Sequence, residues 1–420
     1  MFYLPFSSIL DLKILSFFST RQFKCALSIS LFLAMSIVAA EEPLITLPSL
    51  DITSTNEDTS EDLPKYSDYS AEDIENTGAI STTDFLNKQG ALQVRSNSSS
   101  QNQTSISLRG FGANAANNSL IIVNGIPLAS FSHVPPSLNS IPLNSIDSIN
   151  LYVGSYGSRY GDQAVGGVID IETTIPDKQS REITLGLGNQ QQRQASFFWS
   201  KTLDDNNAFQ FSGEHFQSGH FQPNNLQNNI QVNGGWLYRA EKHKLFINLN
   251  FYQTRIELPQ SLIWQQSTPV VTSDNFTNLK TYTAQISHRY QINADWTFKQ
   301  FLLIQKENSN GKVGIDFTSA QDNIFAKWQW HYQKKWLGGF QTQLQHYKLN
   351  NQRLNDKVQA GTHALFSRFS HAINEQLEFA VGSRFAWQNL VAYPTGQPSQ
   401  ATHDKVWVNE QSLTYHLTPK

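Results

Sequence analysis

The sequence predicts a mainly β membrane protein: a small glycine-rich α+β domain followed by antiparallel strands that cross a bilayer as a barrel wall. Three observations predict it. Charged residues are sparse at 15% and aromatics plentiful at 12%, yet no apolar run after residue 40 is long enough for a spanning helix. Strands that place half their residues in lipid and half in water satisfy both facts. From Glu182 onward, segments of roughly ten residues alternate apolar and polar side chains. Between Ser105 and Ile171, short β-branched runs alternate with Gly and Asn clusters, the pattern of small strands joined by tight turns.

In chain order, Arg21 and Lys24 precede the apolar run Ala26–Val38, which ends at Val38-Ala39-Ala40 before Glu41-Glu42. That is a secretory signal over residues 1–40, with cleavage expected after Ala40. The single cysteine, Cys25, lies within it, so the exported chain is expected to have neither disulfides nor thiol chemistry. The formal charge of −3 argues against a nucleic-acid partner. Residues 41–63 are acidic, Ser/Thr-rich and punctuated by proline, which predicts an extended segment.

Residues 64–178 read as the α+β domain. Ser70 is placed to cap a first helical turn carrying Glu72 and Asp73, and Ser81 or Thr82 a second over Asp84–Lys88. Strands are expected at Ile106–Leu108, Leu120–Val123, Ile149–Val153 and Val168–Ile171. Val123-Asn124-Gly125 predicts a hairpin, because Asn-Gly suits a type I′ turn.

Residues 179–420 read as barrel wall. Leu245, Ile247, Leu249 and Phe251 share one face, with Asn248 and Asn250 on the other. Ile324, Ala326, Trp328, Trp330 and Tyr332 alternate with Lys327, Gln329 and His331, and Phe379, Val381, Phe385 and Trp387 with Glu378, Gly382 and Arg384. A soluble sandwich alternates too, but two features favour a membrane. Short turns at 203–207, 240–242, 291–294, 333–335 and 372–374 alternate with polar stretches at 217–229, 255–280, 307–321, 348–360 and 388–408, read here as long external loops. Tyr290, Trp296, Trp330 and Trp336 flank the short turns, where an interfacial girdle belongs.

Three phrases carry a resemblance: LRGFG at 108–112, IIVNGIPL at 121–128 and SRYGDQAVGGVIDI at 158–171. In this order and spacing they resemble the plug domain of TonB-dependent outer-membrane receptors. The resemblance implies a plug inside the barrel, with Arg109, Gly110, Phe111, Gly112, Asn124, Gly125, Arg159, Tyr160, Gly161, Gly166 and Gly167 as its motif residues. Leu50-Asp51-Ile52-Thr53-Ser54 resembles the TonB box, which the inner-membrane TonB protein captures by strand addition. Where the family usually carries Arg-Gly, an arginine that ties plug to wall, this chain has Val153-Gly154. Near the ligand-facing apices of such a plug, Arg95 and Asn97 in one loop and Phe131 and His133 in another are candidate ligand-binding residues.

About 12 strands are expected between Glu182 and Leu417, where the family's barrel has about 22, and barrel diameter grows with strand number. Twelve cannot enclose this plug, so the chain is expected to be the N-terminal part of a receptor. No catalytic constellation stands out: nucleophile elbow, P-loop and His-Glu-x-x-His are all missing from the sequence. His215 and His220 flank Gly219 and read as loop residues rather than metal ligands. The expected partners are TonB with its energising complex, outer-membrane lipid and a small chelate, with no cofactor and no resident metal. The implied function is uptake of a ferric siderophore or ferric-citrate-like chelate across the outer membrane. Cobalamin, haem and oligosaccharide stay open as cargo, and a non-transporting remnant or surface-binding protein is the alternative.

Overall fold

A computed structural model of the chain describes residues 66–415 except 91, 97–103, 109, 111–117, 129–137, 177–178, 220–223, 260–273, 334 and 375. The signal segment and Leu50–Ser54 therefore lie outside the described residues.

Both predicted helix starts form. Ser70 Oγ accepts from the Asp73 amide at 3.2 Å while the Asp73 carboxylate accepts from the Ser70 amide at 2.9 Å. This capping box starts α1 (Ala71–Asn76). Ser81, rather than Thr82, caps α2 (Thr82–Asn87), accepting from the Asp84 amide at 3.1 Å. Thr82 instead donates its hydroxyl to the Ile141 carbonyl.

The plug strands are β1 (Ser67–Ser70), β2 (Leu92–Ser96), β3 (Thr104–Leu108), β4 (Ser119–Val123), β5 (Ile126–Pro127), β6 (Ile146–Val153) and β7 (Gly167–Thr173). Five of them make one sheet in the order β1-β6-β7-β4-β5, and β2 and β3 form a separate ribbon. Period-2 alternation gives this sheet two buried faces. Ile121, Ile149, Leu151, Ile169 and Ile171 pack under α1 and α2 against Ile74, Phe85 and Leu86. Leu120, Ile122, Tyr152 and Val168 point the other way, onto Tyr156 and Ala164. Asn124 and Gly125 take φ of 51° and 79°, as a type I′ turn requires. Val153, in the place of the family's arginine, is partly buried against the plug core.

The wall opens with β8 (Ser180–Leu187), β9 (Arg193–Thr202), β10 (Asn207–Ser218) and β11 (Gln227–Ala240). It continues through β12 (His243–Glu257), β13 (Phe276–Gln291), β14 (Trp296–Val313) and β15 (Ile315–Tyr332). The last strands are β16 (Trp336–Asn351), β17 (Asn355–Ala372), β18 (Leu377–Tyr393) and β19 (Gln400–Tyr415). Each pairs antiparallel with the next in a 12-stranded sheet, and β8 and β19 are its two edges. The outward face is apolar: Leu249 is 58% exposed and Trp407 70%. The girdle forms as a cross-strand row, with Trp296 ring-to-ring at 5.0 Å from Tyr332 and 5.8 Å from Trp336.

Three expected loops are corrected. The stretches 307–321, 348–360 and 388–408 are largely strand: β14 meets β15 across Gly314 alone, and 352–354 and 394–399 make the other two connections. Beyond the bilayer both faces of a strand meet water, so apolar alternation fades although the hydrogen-bond ladder continues. Long connections remain at 219–226 and 258–275.

Candidate functional site at the plug–wall contact

The wall's inner face is set by register. Phe301 and Leu303 of β14 and Phe325 of β15 pack on the plug's Ile126, and Leu237 and Phe246 pack on Ile175 just after β7. Alternate residues of each strand therefore face the plug. Gly125 is required at the first contact, because a Cβ there would lie 2.9 Å from the Phe301 ring.

A short turn of helix, α3 (Gly157–Tyr160), delivers the main polar contact. Ser158 donates its hydroxyl to Glu410 of β19 at 2.7 Å, and the same carboxylate pairs with Arg368 of β17 at 3.4 Å. Arg384 of β18 approaches the Arg159 carbonyl at 3.5 Å. Lys327 of β15 sits 5.2 Å above the Tyr160 ring. Burial pushes the Tyr160 phenol up to about 12, with neighbouring Arg159 acting in the opposite sense, so Tyr160 stays a neutral donor and a π-face for the cations around it. Two further ties hold the other end: Asn144 donates to Ser196 at 3.3 Å, and Gln231 donates to the Ser140 carbonyl.

Cations dominate the seam. Arg159, Lys327, Arg384, Arg368 and Lys299 are all under 10% exposed, as is the plug's Asp170. Buried charges demand partners, and Lys327 lies in electrostatic range of Arg159, Arg384, Lys299 and Asp170. Polar contacts at Ser158, Asn144 and Gln231, with apolar ones at Ile126 and Ile175, hold the plug against the wall.

Of the residues singled out from sequence, Gly125, Arg159, Tyr160 and Gly161 come to the wall, Asn124 bonds to Thr173 of β7, and Gly166 and Gly167 lie at the start of β7. Gly110 has a φ of 72°. Arg95 is exposed on β2, apart from the seam. Asn97, Arg109, Phe111, Gly112, Phe131 and His133 lie outside the described residues, as does His220; His215 Nε2 lies 3.1 Å from the side-chain Oδ1 of Asn228. Sequence reasoning missed Ser158, Arg368 and Glu410 as a unit. Their convergence depends on the register of β17 and β19 against the plug, which no local pattern carries.

Residues 59–168 match the family described as TonB-dependent Receptor Plug Domain. Among curated proteins, the vitamin B12 transporter BtuB of Vibrio vulnificus is 28% identical over 145 residues, covering 34% of this chain and 23% of that one. BtuB of Vibrio cholerae is 31% identical over 119 residues, 28% of this chain and 19% of its own. Among solved structures, the ferric yersiniabactin uptake receptor FyuA of Yersinia pestis superposes with a TM-score of 0.71 at 17% identity, over 86% of this chain and 63% of that one. The ferric citrate transporter FecA superposes with a TM-score of 0.70 at 15% identity, over 84% and 60%. The chain thus spans under a quarter of those curated relatives and less than two thirds of those structures.

Proposed function

We propose that this chain, which carries a TonB-dependent receptor plug followed by twelve strands of the matching barrel, takes up a metal chelate in an energy-coupled manner. Its place is the outer membrane of a Gram-negative bacterium. One observation carries the reading: the plug, with both sheet faces buried, meets the inner wall through a few hydrogen bonds and two small apolar patches rather than through a continuous apolar core. Contacts of that kind can be broken and remade without unfolding the plug. The work comes from TonB, which pairs with Leu50–Ser54 as an added strand and pulls. No bond of the cargo is hydrolysed.

The leading cargo is a ferric siderophore or ferric-citrate-like chelate, supported by the likeness of fold to FyuA and FecA. Cobalamin is the second reading, favoured by the sequence similarity to BtuB. Radiolabelled ferric citrate and cyanocobalamin, offered to cells making the receptor, separate the two. Replacing Ile52 with Pro removes one ladder donor from the box, so uptake should collapse while cargo still binds at the surface. Undiminished uptake by that variant would overturn the coupling.

A further inference from the structure

The outward face of the wall turns from apolar to polar along a line that is level in the membrane. The last apolar outward residue is Phe251 on β12, Tyr282 on β13, Ile304 on β14, Trp387 on β18 and Trp407 on β19. Strand register, however, carries Phe251 through Tyr282, Lys306 and Asp322 to Ala401. By β19 the border has therefore moved six residues along the ladder. Six residues span roughly 20 Å along a strand, and the seven steps from β12 to β19 roughly 34 Å across the sheet. The ratio gives a tilt of about 30°, near that of strands in membrane barrels. The border marks a membrane plane, at the end of the strands remote from the short turns, which is the external one.

Just beyond this plane, three cations stand on adjacent strands. Lys306 lies opposite Tyr282, and Lys280 is the next outward residue of β13. Lys280 lies opposite Gln253, and Arg255 is the next outward residue of β12. Diagonal neighbours of this kind are roughly 7–8 Å apart, so one phosphate can reach two of these long side chains. All three are exposed.

The cations have company within the wall. Asp322 is opposite Lys306, and Arg255 lies 4.4 Å from the centre of the Phe276 ring. Glu257, the next outward residue after Arg255, accepts from the Leu226 amide at 3.1 Å. Exposed contacts of this strength exchange readily, and a multiply charged anion competes for them. On the membrane side of the cluster, Phe251 and Tyr282 lie ring to ring at 5.2 Å, beside the outward Leu249. The opposite rim is built otherwise, from Tyr290, Trp296, Tyr332 and Trp336. Aromatic rings suit any bilayer boundary, whereas clustered cations suit an anionic one.

We propose that Arg255, Lys280 and Lys306 bind the phosphates of a phosphorylated, many-chained glycolipid of the outer leaflet. Its acyl chains lie against Leu249, Phe251 and Tyr282. Arg255 offers a planar fork to two phosphate oxygens, and the lysines act as point charges. The site belongs to the lipid face of the wall and stands apart from the uptake reading.

The test titrates the purified full-length chain in detergent with lipid A, a diphosphorylated and acylated glucosamine disaccharide, read by native mass spectrometry. Monophosphorylated lipid A and phosphatidylglycerol are the comparators, and both should bind more weakly. Arg255→Gln with Lys280→Gln should lower lipid A affinity by about tenfold or more, since each removes a charge-assisted hydrogen bond. Arg255→Lys with Lys280→Arg should retain binding, and Lys242→Gln, at the short-turn rim, should leave it unchanged. Heat-modifiable gel mobility checks that each variant is folded. The site is overturned by any of four results: no lipid A binding by the unaltered chain, equal affinity in the Gln pair, equal loss in the charge-conserving pair, or equal loss in Lys242→Gln. Phosphatidylglycerol binding as tightly as lipid A would reduce the cluster to a general anionic-lipid contact and also overturn it.

Discussion

Ser158 of the plug donates its hydroxyl to Glu410 of the last strand at 2.7 Å, across 252 positions of sequence. Glu410 also accepts from Arg368, and both charged side chains are largely buried. One carboxylate thus fastens the plug and neutralises a wall cation. Glu410→Ala should loosen the plug by about 3–5 kcal/mol, because it leaves Arg368 buried without its anion. Ser158→Ala should cost only about 1 kcal/mol. Urea-dependent proteolysis of the plug measures both; equal effects would show that Arg368 finds another partner.

Gly167 begins β7 with a φ of +150°, and a Cβ there would meet the Tyr152 carbonyl oxygen and, at 2.6 Å, Leu108 Cδ1. Gly167→Ala should destabilise the plug by about 2–5 kcal/mol, through backbone strain plus overpacking. Gly78, with φ +60° and open space for 4 Å around the position a Cβ would take, is the control: Gly78→Ala should cost about 1–2 kcal/mol from strain alone. Hydrogen exchange of the β6 and β7 amides reports the difference.

Asn124 combines a left-handed backbone with a side-chain clasp on β7. It donates to Thr173 Oγ1 at 2.9 Å and accepts from the Thr173 amide at 2.9 Å. Asn124→Gly keeps the φ and loses the clasp, about 1–2 kcal/mol; Asn124→Ala loses both, about 2–4 kcal/mol. The ranking Asn above Gly above Ala in thermal stability is the expected outcome. An Ala variant as stable as the Gly variant would discount the φ requirement.

Asp73 is held below the usual carboxylate range by the Ser70 hydroxyl and then by the Ser70 amide. A depressed folded-state value means stability that is present above the unfolded value, about 3.9, and lost as pH falls through the folded one. Exchange protection of the α1 amides should fall in that acidic window and stay flat above it. Ser70→Ala should weaken the dependence, leaving the share that comes from the retained backbone amide, and a profile unchanged by that substitution would assign it to another group.

The sequence by itself determined what is local. The caps at Ser70 and Ser81, the Asn124-Gly125 turn, the four plug runs and the alternating faces of β12, β15 and β18 follow from side-chain chemistry and from periods of a few residues. It misjudged 307–321, 348–360 and 388–408, because a strand with water on both faces has no apolar rhythm and looks like loop. Tertiary structure alone decided what depends on register. Glu410 meets Ser158, Lys327 meets Tyr160, and Arg255, Lys280 and Lys306 fall together only because antiparallel pairing sets each strand's offset against the last. A slip of one residue would turn every one of those side chains to the other face. That offset is a property of the whole ladder, summed over many weak pairings, and no short stretch of sequence contains it.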